Sequence, residues 1–145
     1  MIALLQRVSR AFVEVDGVEV ASIDRGLLVL VGVARGDEAT NAVRLAERVV
    51  GYRVFPDAEG RMNLNVKQVG GALLAVPQFT LAADTRKGTR ASFTPAAPPE
   101  TARPLFEQFV ARVRAEGVHV ECGRFGADMK VTLTNDGPVT FWLEA

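Results

Sequence analysis

The spacing of apolar residues changes several times along the chain, and each change predicts an element. Ile2–Val15 is a long stretch carrying Val8, Phe12, Val13 and Val15, and reads as a first strand. Asp16-Gly17 is a hairpin signal leading into Val18–Ile23, where apolar and polar residues roughly alternate. After Asp24-Arg25-Gly26, residues 27–33 are almost continuously apolar, the pattern of a strand covered on both faces. A helical period then takes over. N-cap candidates at 37–40 precede Ala42, Val43, Leu45, Ala46, Val49 and Val50 on one face, with Arg44, Glu47 and Arg48 opposite. Arg53-Val54-Phe55 and the turn 56–60 follow.

Beyond Gly70-Gly71, residues 72–76 read as a strand that continues into Gln78-Phe79-Thr80-Leu81, with Pro77 marking an edge, bend or bulge. Residues 82–97 form a long loop of polar and small residues, the kind that is often functional or mobile in a compact domain. Pro98-Pro99-Glu100 suits a helix start, and Leu105, Phe106, Phe109, Val110 and Val113 form an amphipathic stripe that Gly117 ends. Three closing strands are expected at 118–122, 129–134 and 139–143. The order βββ-α-ββ-α-βββ, without repeat or linker, predicts one α+β domain over residues 1–145, with two main helices packed on antiparallel sheet.

Composition narrows the setting. Of 145 residues, 48% are hydrophobic and 23% charged, a balance typical of a globular domain. No apolar run approaches the ~20 residues of a membrane span. The first residues lack a basic leader and read as a strand, not a signal peptide. With the single cysteine, Cys122, this leads to the expectation of a cytoplasmic protein. Seventeen basic and seventeen acidic residues cancel, so long stretches of nucleic acid are not held by bulk charge. Contact with a nucleic-acid terminus needs only a few local cations, and residues 85–90 form the best basic cluster.

The usual catalytic side chains are scarce. His119 is the only histidine, and with one cysteine it cannot build a Cys/His zinc site. No GxSxG, P-loop or HExxH motif occurs, and Gly70-Gly71 is a turn signal rather than a dinucleotide fingerprint. No metal or cofactor is implied.

Two segments carry candidate chemistry. In Pro77-Gln78-Phe79-Thr80-Leu81, a proline-disturbed strand frees backbone N–H groups near Phe79 and Thr80 that could polarise an ester carbonyl. Thr80 is a hydrogen-bond donor or, with no base nearby, a less plausible nucleophile. In Asn135-Asp136-Gly137-Pro138-Val139, the simplest reading is a hairpin turn. A cis Gly-Pro bond there would instead make a rigid projection whose carbonyls accept hydrogen bonds from an ammonium group.

With these residues, the chain resembles the bacterial D-aminoacyl-tRNA deacylase family over essentially its whole length. The likeness extends to Gln6-Arg7, Tyr52-Arg53-Val54-Phe55, Met62-Asn63-Leu64-Asn65, 78–84, Gly123-Arg124-Phe125 and 135–143. It implies barrel-like sheet layers and hydrolysis of the ester of D-aminoacyl-tRNA, and of mischarged glycyl-tRNA, with assistance from the terminal 2′-OH. It also implies a homodimer in which Gly137-Pro138 of one copy enters the other's site and rejects L-aminoacyl groups with its backbone. Gln78, Phe79 and Thr80 would then form the catalytic wall. Arg7 would brace the Gly-Pro element, and Asn135, Phe125 and Met129 would complete the substrate site. One departure is Pro77, where the family's bacterial pattern has serine; a related animal group carries proline there. The competing reading is a non-catalytic module that binds an RNA end or a small ligand.

Overall fold

The computed structural model describes Met1–Ala145. Strand β1 (Ile2–Val15) turns through Asp16 and Gly17, both at positive φ, into β2 (Val18–Ile23), and β3 (Gly26–Gly32) follows. Helix α1 (Ala39–Gly51) leads to the short hairpin of β4 (Phe55–Pro56) and β5 (Met62–Leu64). Then come β6 (Ala72–Pro77), a 3₁₀ turn (Phe79–Ala82), α2 (Pro99–Ala115), β7 (Val120–Cys122) and β8 (Lys130–Glu144). No helix is long and apolar enough to cross a membrane.

The main sheet runs β2-β1-β3-β6-β7, and β8 lies along the other side of β1. It bends until β2 approaches β6 and β7, nearly closing a barrel. The α+β class and the two packed helices match expectation. The sheet is mixed, however, because β6 pairs in parallel with both β3 and β7. Those pairings need crossovers, which α1 and α2 supply.

Two cores explain the apolar patterns. On β3, Leu27, Val29 and Val31 join the larger core beneath the helices, while Leu28 joins the smaller core inside the barrel. Leu73 and Ala75 of β6 face the helices, and Leu74 and Val76 face inward. A strand covered on both faces has no polar side, hence the continuous runs. Strand β1 changes allegiance partway: Ala3 and Leu5 belong to the helix-side core, whereas Val8, Ala11 and Val13 belong to the inner one. A strict two-residue period would keep Val8 opposite Leu5, but only bulges let Val8, Ala11 and Val13 share one face. The register against β8 shifts between Val8 and Arg10, with the extra residue on β1, as this requires.

The helices follow the sequence pattern closely. In α1 the buried face is Ala42, Leu45, Ala46, Val49 and Val50; Val43, expected with them, is 38% exposed. Glu38, not a short polar residue, is the N-cap, and its amide donates to the Asn41 side chain at 2.7 Å. Pro98 caps α2 and Pro99 occupies its first position, where a missing N–H costs nothing.

Two local expectations are corrected. Residues 79–82 are a 3₁₀ turn rather than a strand, and residues 130–144 are one strand interrupted by a bulge rather than two strands joined by a hairpin. Local turn chemistry signalled a reversal at 135–138, but pairing with β1 on both sides of the interruption holds the chain on course.

Candidate active site

The interruption in β8 is where the Gly-Pro element is built. Gln6 pairs with Thr140 and Val8 with Asn135, so Arg7 alone faces the four residues 136–139. The surplus chain has to leave the sheet. Gly137 and Pro138 form its exposed crest, joined by a cis peptide bond. Asn135 closes the base of the crest like a ladder rung: its Oδ1 accepts from the Val139 amide at 2.8 Å, and its Nδ2 donates to the Val139 carbonyl at 3.1 Å. Arg7 braces it from below. Its Nε donates to the Asp136 carbonyl at 2.6 Å, its Nη1 donates to the Val54 carbonyl at 2.5 Å, and the Asp136 carboxylate lies 3.5 Å away. The Arg7 side chain is only 13% exposed, so charge-assisted bonds to carbonyls hold it in one place.

The second feature is a cavity of about 430 Å³ at the end of β3 and β6. Val31, Val33, Gln78, Phe79, the 93–99 segment, Ala102, Phe106 and Phe125 supply most of its wall. The chain reaches it by a change of structure after Pro77. The Gln78 amide still donates to the Val31 carbonyl at 2.8 Å, so the amide position of Pro77 points away from β3. The β6–β7 register ends at Ala75, two residues earlier, so the missing N–H of Pro77 breaks no rung. Gly32 then allows the 3₁₀ turn to close over the strand end, since a β-carbon there would lie 2.9 Å from Leu81 Cβ and 3.1 Å from the Gln78 carbonyl. The first amides of such a turn have no partner within it. No loop carbonyl or side chain accepts from Phe79 or Thr80. Gln78 Nε2 donates to Thr80 Oγ1 at 2.5 Å, which fixes both side chains at the rim.

Two pairs of aromatic rings line the cavity. Phe106 is buried and packs 6.4 Å from Phe125, over which the Arg103 guanidinium lies at 4.9 Å. At the mouth, Phe79 and Phe93 meet at 5.1 Å and remain 57% and 48% exposed. Such exposure of two large rings at a cavity mouth offers a stacking surface for a flat apolar group. The loop that carries Phe93 is held in place: Asp84 and Ser92 exchange backbone bonds, Arg35 N–H donates to Pro95, and Ala97 N–H donates to Val33.

The electrostatic features lie outside this cavity. Arg86 binds Asp84 with two side-chain bonds, at 2.9 and 2.8 Å, and holds its carboxyl well below the usual carboxylate range. With Lys87 and Arg90 they edge a separate, wholly polar hollow. Burial pushes the Cys122 thiol up. His119 is exposed and sits 2.9 Å from Glu121. No three His, Cys, Asp or Glu side chains cluster in a way that could hold a metal ion. The cavity can therefore position and polarise a bound group, but it presents no histidine, cysteine or carboxylate to it.

Of the residues singled out from sequence, Gln78, Phe79 and Phe125 share the cavity, and Thr80 stands at its edge. Gly137, Pro138, Asn135 and Arg7 form the separate crest, and none of them lines the cavity of their own chain. Met129 lies elsewhere too, packing against the inner core, with its sulfur under Gly123. Sequence reading missed Arg35, Phe93 and Phe106 as cavity residues. Phe93 had a signal, being the one aromatic in the polar stretch 82–97, whereas Phe106 was hidden within a helix stripe that also serves the core.

A family model described as D-Tyr-tRNA(Tyr) deacylase matches residues 4–144. The D-aminoacyl-tRNA deacylase of Alkalilimnicola ehrlichii is 63% identical over 145 residues, covering 100% of this chain and 97% of that protein. That of Klebsiella pneumoniae is 59% identical over 144 residues, covering 99% of each. Among solved structures, a c-Myc DNA unwinding element binding protein superposes with a TM-score of 0.94 at 35% identity, covering 100% of this chain and 99% of that one. A probable eukaryotic D-amino acid tRNA deacylase, at 18% identity and TM-score 0.82, covers 99% and 98% and shares the fold. Matched along almost its whole length by the family model, and by relatives at such identity, the chain belongs to the D-Tyr-tRNA(Tyr) deacylase family.

Proposed function

We propose that this protein hydrolyses the ester joining a D-aminoacyl group to the terminal adenosine of tRNA, releasing free tRNA and the D-amino acid. The observation that carries the reading is the crest at Gly137-Pro138: exposed, braced by Arg7 and Asn135, and apart from the cavity of its own chain. A rigid projection without a pocket and a pocket without a filter are complementary parts. Two copies of the chain complete each other's sites when the crest of one enters the cavity region of the other.

In that arrangement the adenosine occupies the apolar cavity, and the ester lies against Gln78, Phe79 and Thr80. The Phe79 and Thr80 amides stabilise the oxyanion as water adds to the ester carbonyl. The crest carbonyls accept hydrogen bonds from the substrate ammonium, while the crest backbone occupies the space an L side chain would need. Selection is by exclusion, so a glycyl group, which has no side chain, is also cleaved. The terminal 2′-OH assists the attack, and the 3′-oxygen leaves with a proton. Positioning alone can contribute about 7–11 kcal/mol in favourable cases, which suits a site poor in acids and bases.

The test is single-turnover deacylation of D-tyrosyl-tRNA beside L-tyrosyl-tRNA. Rapid loss of the D ester alone is expected; equal inertness, or faster loss of the L ester, overturns the reading. Binding without turnover would favour the non-catalytic module. A second measurement separates the roles within the site. Thr80→Ala should retain activity within about tenfold of the parent, as for loss of one hydrogen bond, whereas a tRNA ending in 2′-deoxyadenosine should be cleaved very slowly. Abolition of the rate by Thr80→Ala would instead make Thr80 the nucleophile.

A further inference from the structure

Arg35 is the only charged side chain in the wall of the cavity. It follows β3 at the mouth, beside the segment that carries Phe93. Its backbone amide donates to the Pro95 carbonyl at 2.8 Å, and its Nε donates to the Thr94 carbonyl at 2.6 Å. These two bonds fix the root and the neck of the side chain against the 92–97 segment. The terminal nitrogens of its guanidinium have no hydrogen-bond partner in the chain, and no carboxylate lies within ion-pair distance. The nearest acid in sequence, Asp37, is already used: its carboxylate accepts from the Met1 ammonium at 2.7 Å and from the Ala34 amide at 2.7 Å. Arg86, by contrast, is tied to Asp84. A guanidinium held at its neck with its fork open is suited to an oxyanion with two acceptor oxygens.

We propose that Arg35 binds the phosphate on the 5′ side of the terminal adenosine, holding the strand at the mouth while the base occupies the cavity. This deepens the proposed function and rests on it. A nucleoside carries no formal charge of its own; the nearest negative charge on a tRNA end is the phosphodiester that links it to the preceding nucleotide. An apolar cavity with one open cation at its lip complements that distribution. The Phe79–Phe93 pair lies at the same mouth, where the backbone has to leave. Arg35 is thus a strand-binding residue and takes no part in the bond-breaking step.

The experiment uses a non-hydrolysable 3′-(D-tyrosylamido) analogue of adenosine, with and without a 5′-methylphosphate diester, titrated against the intact protein. For the parent, the phosphate should tighten binding about fivefold to tenfold, the range of a charge-assisted bond at a partly open position. In Arg35→Gln that gain should vanish, and Arg35→Lys should recover part of it as a point charge. On D-tyrosyl-tRNA, Arg35→Gln should raise KM about fivefold to tenfold with little change in kcat. It should also flatten the salt dependence by roughly one phosphate contact. The proposal is overturned if the phosphate adds nothing to parent binding, if Arg35→Gln keeps the gain, or if that variant loses the phosphate-free analogue to the same extent. Failure of the parent to bind the phosphate-free analogue would instead defeat the proposed function, and this inference with it.

Discussion

Gly137→Ala should lower kcat/KM for D-tyrosyl-tRNA by about 100-fold or more while leaving the protein folded. A β-carbon on Gly137 would fall onto the Val139 amide nitrogen and lie 2.7 Å from Val139 Cγ2. The obstructing atom is backbone, so no side-chain rotation relieves it. Val139 cannot simply retreat, because it is buried at 9% exposure and Asn135 binds both its N–H and its carbonyl. The crest must therefore shift, and a displacement of about 1 Å in a positioning element can cost about 10²-fold in rate. That loss corresponds to about 2.7 kcal/mol of transition-state stabilisation. Because the crest is exposed, the same change should alter global stability by no more than about 1 kcal/mol. Single-turnover deacylation, paired with a thermal melt, measures both. A variant with the parent's rate would remove the Gly-Pro element from the catalytic site.

Phe109→Ala should show the converse behaviour. Phe109 is fully buried in the larger core and does not line the cavity. Truncating a buried phenylalanine removes transfer free energy and leaves a void that neighbours only partly fill, costing about 3–5 kcal/mol. For a domain near this size, that loss lowers Tm by about 10–15 °C. Against a typical total of about 5–15 kcal/mol, the variant should remain folded well below its lowered Tm. There its deacylation rate should stay within about twofold of the parent, because the cavity wall is formed by other side chains. Chemical and thermal unfolding read the first effect, and a rate at low temperature reads the second. A melting point shifted by only a few degrees would show that the core repacks around the void.

These two positions also illustrate how differently residues announce themselves in a sequence. Phe109 belongs to a stripe whose helical period is visible without any structure, and the structure buries that stripe as expected. Likewise, the continuous apolar run of β3 correctly signalled cover on both faces. Gly137-Pro138 was conspicuous by residue type, but its local chemistry favoured an ordinary turn. Only the register with β1, in which Arg7 faces four residues, shows it to be a bulge projecting from a single strand. Val43 failed in the opposite direction: it fits the apolar face by type and spacing, yet its angle on the helix leaves it half outside the core. Met129, expected at the pocket, is half-buried against the inner core and meets Gly123 beside Pro77.

The amino-acid order by itself determined the helices, the β1–β2 turn and the doubly covered strand, because each follows from interactions between residues close in the chain. It also determined that a Cys/His zinc site is out of reach and that histidine-centred chemistry has a single residue to draw on: the chain has one histidine and one cysteine. The tertiary structure alone decided that β6 runs parallel to β3, that β1 changes faces between two cores, and that residues 79–82 curl into a turn. It also gathered Arg35, Phe93, Phe106 and Phe125 around one cavity and kept Gly137-Pro138 apart from it. These outcomes depend on contacts between distant segments, and local propensity carries no information about which distant segment will arrive. A period of two or 3.6 residues tells a side chain which way to face; only the closed sheet tells it what it will meet.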